Sequence, residues 1–537
     1  MTQLLWTIKI DKLIEVRIGF GTDRLQKAAK RILFQQFASE ENCISVIVRQ
    51  HGKIKRKTID FVAASSKDKE IFVHALQYII DKKDAKMLDF NEKQWIIDKF
   101  HEADVNQTDK INFDKVWRLL DEMNLGIDEN YAKALFQNAG AKKYNSGWKQ
   151  IAYLDQEGFL RFFMLLTVHF EEGKIMRKYS SQNDETLSAN DLKNFLIYEQ
   201  QFENIDNDTA TSIMNEIISK QGNYRMEKKI NLLGPFGFRA LLRSRWGNIL
   251  RSEHENIFQN MDHPLSHYYI NSSHNTYLIG TQVKGDATVE GYINAIKKGA
   301  RLLELDVLDG VYGEPCIGHH GTLVTPIRLK DALVAIKNYA FKYTPFPLIL
   351  TIENRCSLQQ QQVMARNFIE NKLPNLLHLN SVNSSVSISE AQIKKLMEIS
   401  EPFTTYTSTH LVKSYPKGLR QNSSNFCPIQ SWIFGIQSVA LNMQTNGKDM
   451  DLNSGLFRIN GNCGYVLKPP ILIHGLNLSR VADTIRMIMT LSVISGEYLP
   501  KPFSKDGEII DPYVIVEVLG IPADCNKFQT KVINNNG

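Results

Sequence analysis

Four short segments carry the residues that could do chemistry: His274-Asn275, Glu304-Leu305-Asp306, His319-His320-Gly321 and Glu353-Asn354, all within about 80 residues. Most of them end an apolar, strand-like run. Glu304 and Asp306 stand two residues apart on a strand, so both point to one face. Asn275 and Glu353 could supply further oxygens. Oxygen donors without sulfur select Ca2+ or Mg2+ over Zn2+. His274 and His320 lie 46 residues apart, in different segments. One could stabilise charge developing on a phosphate while the other serves as general acid, because imidazole titrates near neutrality. This combination suits metal-assisted phosphoryl transfer on a phosphodiester. A lone histidine near a strand end is more often a structural hydrogen-bonder. Here the polar groups recur at several strand ends in a row, which that account does not cover.

The surrounding pattern must position these groups. From about residue 263, strand-like runs at 267–272, 302–308, 347–352, 376–379, 436–442 and 464–467 alternate with helical stretches such as 287–298 and 329–341. Alternation of that kind predicts a parallel sheet or barrel. Functional groups of such a barrel gather at the carboxyl ends of its strands. The Ser- and Asn-rich stretch 378–390 reads as a loop. Residues 1–85 read as a short β segment with one helix, in which Ser65 and Asp68 offer a variant capping box. Residues 86–250 read as helices joined by polar loops. The loop from Asp104 resembles an EF-hand calcium loop, but its sixth position is Asp109 rather than Gly and its twelfth is Lys115 rather than Glu. Without the bidentate carboxylate it is expected to be a structural helix pair. Residues 487–537 open an antiparallel β pattern, read as a truncated domain because two or three strands bury little.

Bulk properties narrow the class. A chain of 537 residues is expected to hold three or four domains, at ~150 residues each. No run of ~18 apolar residues predicts a membrane-spanning helix, and the N-terminus lacks a signal-peptide pattern. Six scattered cysteines without a CxxC pair suit reduced thiols in the cytosol. The net charge of +6 is mild and decides nothing alone. A nucleic-acid enzyme would want basic runs and stacking aromatics in a groove. The longest basic cluster, Lys53-Ile54-Lys55-Arg56-Lys57, is too short for that, so no nucleic-acid partner is expected.

The run from Pro264 to Leu278, with Ser272-Ser273-His274-Asn275-Thr276-Tyr277 at its centre, resembles the start of the X region of eukaryotic phosphoinositide-specific phospholipases C. Arg301-Leu302-Leu303-Glu304-Leu305-Asp306 and Thr351-Ile352-Glu353-Asn354 continue it. Gly418-Leu419-Arg420-Gln421-Asn422-Ser423-Ser424-Asn425 and Gly464-Tyr465-Val466-Leu467-Lys468-Pro469 resemble the Y region. The order is partial PH-like segment (1–85), EF-hand-like helices (86–250), X half (263–373), Y half (374–478) and truncated C2 β-sandwich (487–537), nearest the delta and zeta types. The fold this implies is multidomain α/β with a (β/α)8, TIM-type barrel as catalytic core. The activity implied is calcium-dependent hydrolysis of phosphatidylinositol 4,5-bisphosphate to inositol 1,4,5-trisphosphate and diacylglycerol in intracellular signalling. Asn275, Glu304, Asp306 and Glu353 would hold Ca2+. His274 would stabilise the transition state and His320 would protonate the leaving diacylglycerol oxygen. Glu304 or Glu353 would act as base. Ser381, Lys413 and Tyr415 match positions that hold the inositol ring and its phosphates. Val283, Val324 and Leu419 match a membrane-dipping rim. The expected protein is a monomer of the cytoplasm, peripheral at the anionic inner face of the plasma membrane or at internal membranes.

The chain also departs from that pattern. A barrel strand bearing Lys-Gly-Lys should follow the helix after Glu353, yet Lys372-Leu373 runs directly into Pro374-Asn375-Leu376-Leu377. The acidic linker between the X and Y halves is missing as well. Lys413 stands where the family has Arg, which keeps the charge and loses the bidentate fork. Two lost lysines remove cations that would meet the substrate phosphates. These departures favour a rival reading, a catalytically inactive scaffold that binds phosphoinositides or proteins.

Overall fold

The computed structural model describes residues 10–87 and 92–370, with 50–55 and 221–231 the longest breaks, then 386–475 with a break at 397–399, and most of 488–534. Two compact units emerge. One comprises residues 1–84, 250–487 and 519–525; the other comprises 85–249, 488–518 and 526–537.

In the first unit, β1 (Leu13–Ile18), β2 (Cys43–Arg49) and β3 (Arg56–Val62) form an antiparallel sheet in that order. Helix α1 (Ser66–Met87) starts at the expected cap: the Asp68 N–H donates to Ser65 Oγ at 3.1 Å, and Ser65 Oγ donates back to Asp68 Oδ2 at 2.7 Å. Its apolar stripe of Leu76, Ile79 and Ile80 packs on Leu13, Val46 and Val48.

The second unit is mainly helical. Helix α2 (Glu92–Ala103), strand β4 (Ile111–Asn112), helices α3 (Phe113–Glu122) and α4 (Glu129–Asn138), strands β5 (Lys142–Ser146) and β6 (Lys149–Leu154) and helix α5 (Gln156–Leu166) close on a core containing Phe100, Phe136, Phe159 and Phe163. Asp104, first in the EF-like loop, accepts from the Asp109 N–H at 2.7 Å and the Thr108 hydroxyl at 2.9 Å. The Lys115 ammonium lies 4.0 Å from the same carboxylate. Local donors and a lysine thus supply the positive charge around Asp104. A second helical core is built by α6 (Ala189–Tyr198), α7 (Asn207–Lys220) and α8 (Pro235–Arg243).

The α/β region lies in the first unit. Strand β7 (Tyr268–Ser273), helix α9 (Val289–Lys297), strand β8 (Leu302–Leu308), the short β9 (Cys316–Ile317), helix α10 (Leu329–Tyr339) and strand β10 (Ile349–Arg355) are βαβ units, followed by helix α11 (Leu358–Glu370). After the break come β11 (Val386–Ser389), helix α12 (Ser400–Thr409), β12 (Val412–Tyr415), β13 (Ser438–Leu441) and β14 (Tyr465–Leu467). Six strands run parallel in the order β10-β8-β7-β13-β12-β11. This is a curled α/β sheet; among the described residues its two ends, β10 and β11, are not joined. The lysine-bearing strand would fall at 371–385, and so would the expected run 376–379; both lie outside the described residues. Strand β11 falls where a loop was expected. Val386 and Ile388 alternate with serines there, and Ile388 is buried. Farther on, β15 (Ile515–Val518) and β16 (Asn526–Gln529) form an antiparallel hairpin.

Alternation along β8 explains how the sheet both packs and works. Leu303, Leu305 and Val307 are fully buried against the surrounding helices, which leaves Glu304 and Asp306 on the other face. Helix α9 approaches so closely that a Cβ on Gly291 would sit 2.1 Å from the Thr276 carbonyl oxygen, so only glycine fits there. Its start is capped by Thr288, whose hydroxyl accepts from the Gly291 N–H at 3.2 Å. Arg301, just before β8, is buried and donates to the carbonyls of Ala340 at 2.6 Å and Pro347 at 3.0 Å.

Strand β1 turns Glu15 and Arg17 onto α9 and α10. Arg17 donates to Glu290 at 3.0 Å and to Glu15 at 3.1 Å, Lys297 donates to Glu15 at 2.6 Å, and the Tyr339 hydroxyl also reaches Glu15. Burial alone would raise the Glu15 pKa, but Arg17 and Lys297 outweigh it and hold it down to about 2. The carboxyl is therefore depressed from its ordinary 4.5, so its contribution is present above that value and is lost as pH falls toward 2. Amide protection in β1, measured against the intrinsic exchange rate at each pH, should fall across this window, and Arg17→Ala should show low protection already at neutral pH. Protection indifferent to both changes would mean that these charges do not hold β1.

Candidate active site

The carboxyl ends of β7, β8, β12 and β13 converge on one cluster. Strand β7 delivers His274 and Asn275. The His274 N–H of the main chain donates to Leu441 O at 2.9 Å, which ties the strand end to β13. The His274 ring Nδ1 lies 2.9 Å from Asn442 Oδ1, an acceptor, so Nδ1 carries the proton and Nε2 is left for chemistry. Burial lowers the His274 pKa, and the neighbouring Glu304 works against that. The Tyr415 ring lies parallel to the imidazole, centroids 6.4 Å apart.

Asn275 adopts φ of 40°, a left-handed turn in which asparagine is tolerated better than most residues. That turn aims its main-chain N–H at Glu304 Oε2, 2.9 Å away. Its side-chain amide donates to Gln282 at 2.7 Å, leaving the amide oxygen as a donor atom for a ligand. Glu304 Oε1 is held by the Lys413 ammonium from β12. Burial would raise the Glu304 pKa, but Lys413 and His274 dominate and it is lowered. Asp306 has one oxygen held by the Tyr277 hydroxyl at 2.6 Å, while Oδ1 is buried with no partner. Burial, then Glu304, push its carboxyl up to about 7.

An orphaned buried carboxylate oxygen, a second carboxylate beside it and a side-chain amide oxygen fit a hard cation. Glu353 pairs with Asp306 in the β10–β8 ladder, yet its carboxylate is half exposed and accepts from Arg355 Nε at 2.7 Å. Consistent with that, no three His, Cys, Asp or Glu side chains among the described residues close into a preformed metal cage.

Several expected residues are placed differently. His320 is exposed, whereas His319 is half-buried with Nδ1 2.6 Å from the Gln282 carbonyl oxygen. The antiparallel β9–β8 pairing, extended by the Gly318 N–H to Asp306 O at 3.2 Å, sets which of the two histidines turns inward. The inward histidine is His319, so the acid expected at His320 does not stand in the cluster. Val324 is 8% exposed and thus not on the rim; its neighbour Leu323 is 80% exposed. Val283 and Leu419 are exposed, and so is Ile279. Ser381 lies outside the described residues. Gln282 and Asn442 were missed. Gln282 links Asn275, His319, Ser423 and Asn442, and only its contacts reveal that. Asn442 was legible in principle, as a polar residue ending the apolar run Val439-Ala440-Leu441.

Asp306 carries a sign that can be checked. Its folded-state pKa lies above its ordinary 3.8, so stability falls as pH climbs from there through about 7. In EDTA at pH 8, Asp306→Asn should melt higher than the parent by roughly 2–4 °C. The gap should close toward pH 4, and equal melting at both pH values would remove the buried charge from the account.

Comparison with known proteins fits this geometry. Residues 261–398 match the X domain of phosphatidylinositol-specific phospholipase C, and residues 358–471 match its Y domain. The chain is 30% identical to the Xenopus laevis 1-phosphatidylinositol 4,5-bisphosphate phosphodiesterase delta-4, covering 99% of this chain and 81% of that protein. It is also 30% identical to the Rattus norvegicus delta-1 enzyme, over 98% of this chain and 81% of that one. Among solved structures, L. pealei PLC21 superposes with a TM-score of 0.68 over 99% of this chain and 80% of that one, at 23% identity, a likeness of fold. Similarity to delta-type enzymes over nearly the whole of this chain, carried on a sheet whose strand ends gather two histidines and paired acids, shows that the chain belongs to the eukaryotic phosphoinositide-specific phospholipase C family.

Proposed function

We propose that this protein hydrolyses phosphatidylinositol 4,5-bisphosphate to inositol 1,4,5-trisphosphate and diacylglycerol, in a calcium-dependent reaction at a membrane surface. The observation that carries the reading is the orphaned Asp306 oxygen beside Glu304, Asn275 and His274. Asn275, Glu304 and Asp306 would hold Ca2+, joined by Glu353 when it leaves Arg355. Bound there, Ca2+ would acidify the inositol 2-hydroxyl and offset charge at phosphorus. The 2-hydroxyl oxygen attacks phosphorus, and Glu304 or Glu353 takes its proton. His274, held by Asn442, donates from Nε2 to the phosphoryl oxygen once the phosphate's charge favours its protonated form. His319 gives a proton to the departing diacylglycerol oxygen as its bond to phosphorus breaks. Water then opens the cyclic phosphate. Lys413 and Tyr415 face the inositol ring and its phosphates. Exposed Ile279, Val283, Leu323 and Leu419 supply an apolar rim suited to an anionic bilayer.

A second reading, the inactive scaffold, draws support from Glu353 pairing with Arg355 and from the lack of the Lys-Gly-Lys motif. Release of inositol trisphosphate from vesicles under a Ca2+ titration separates the two. His319→Ala and His274→Ala should each cut turnover by about 10²–10⁴-fold, while His320→Ala stays near the parent. A parent that is folded and releases nothing supports the scaffold. A His320→Ala loss as large as that of His319→Ala would return the acid role to His320.

A further inference from the structure

Both oxygens of Glu304 are engaged, one by the Asn275 main chain and one by Lys413. The Lys413 side chain is itself nine-tenths buried. Its ammonium therefore gives Glu304 the counter-charge that a divalent cation would give. The two cannot hold Oε1 together at full strength, because cations side by side repel, and more strongly away from water. Lys413 and Tyr415 alternate on β12 and share a face, and Tyr415 lies parallel to the His274 ring. The lysine thus lies on the face that meets the reacting phosphate.

We propose that Lys413 is an exchangeable counter-cation which couples metal binding to substrate binding. Ca2+ takes Glu304 Oε1 from Lys413 while the Asn275 N–H keeps Oε2 in place. The released ammonium then turns to the phosphates of the inositol headgroup. This rests on the phospholipase reading above and adds a linkage to it: Ca2+ strengthens headgroup binding, and the headgroup strengthens Ca2+ binding by the same factor. The missing Lys-Gly-Lys motif leaves Lys413 to serve both anions in turn.

Isothermal titration calorimetry on the full chain tests this without turnover. With Ca2+ alone, Lys413→Met should bind about tenfold more tightly than the parent. With inositol 1,4,5-trisphosphate as probe, the parent should bind about tenfold more tightly when saturated with Ca2+. Lys413→Met should lose most of that gain. Should Lys413→Met fail to fold with Glu304 left unpaired, Glu304→Gln carries the test: freed from its partner, Lys413 should give the Ca2+-free protein the headgroup affinity of the Ca2+-loaded parent. Unchanged or weaker Ca2+ binding by Lys413→Met overturns the exchange, as does a Ca2+-free Glu304→Gln no better than the Ca2+-free parent. A parent that binds Ca2+ and releases inositol trisphosphate alongside either result loses only the exchange. A folded parent that takes up no Ca2+ loses both the exchange and the phospholipase reading.

Discussion

Two carboxylates on one face of a buried strand are the constraint around which the catalytic end is arranged. Glu304 and Asp306 repel each other and are nearly dry, so something must neutralise them. Lys413 answers for Glu304. Asp306 answers for itself by holding its proton to about pH 7. The Asn275 turn, the Tyr277 hydroxyl and the Thr276 hydroxyl, which accepts from the Glu304 N–H at 2.9 Å, are local adjustments to the same problem. A site strained by like charge is one that a cation relieves.

Much of this was legible in the chain. The period-two pattern of β8 places Leu303, Leu305 and Val307 in the core, and it sends the acids to the opposite face with no structural input. Runs of apolar residues ending in His, Asn or acid located most of the strand ends that matter. Other features are tertiary. The choice between His319 and His320 depends on how the chain leaves the two-residue antiparallel strand β9 and turns, which no periodicity in the sequence reports. Leu323 and Val324 alternate on a separate short strand, Leu323–Thr325, which pairs in parallel with Lys284–Asp286 and buries only Val324. Gln282 sits in a polar loop whose sequence carries no periodicity, and its four partners come from four separate parts of the chain. Strand β11 was hidden because serine and asparagine dominate its flanks, although Val386 and Ile388 do alternate.

The sheet also shows what kind of family member this is. Its parallel core resembles that of the solved structure it superposes on, while residues 371–385 contain no Lys-Gly-Lys sequence. Removing cations from one face of a sheet changes the electrostatic balance more than it changes the fold, because surrounding helices can still cover the strands. Lys413 in place of arginine fits this: a compact ammonium reaches a single carboxylate oxygen, where a guanidinium fork favours two.

The charged contact between β1 and helices α9 and α10 has a consequence for how the chain can vary. Arg17 and Glu290 are 273 residues apart in sequence, and residues 85–249, the helical stretch of the second unit, lie between them along the chain. Loop-closure entropy grows only slowly with length, by about 0.6 kcal/mol per doubling. The helical unit can therefore lengthen, shorten or be exchanged at little cost to that contact. In topological terms the first unit is interrupted in sequence by residues 85–249, and the two of its stretches that flank them are clasped by charge.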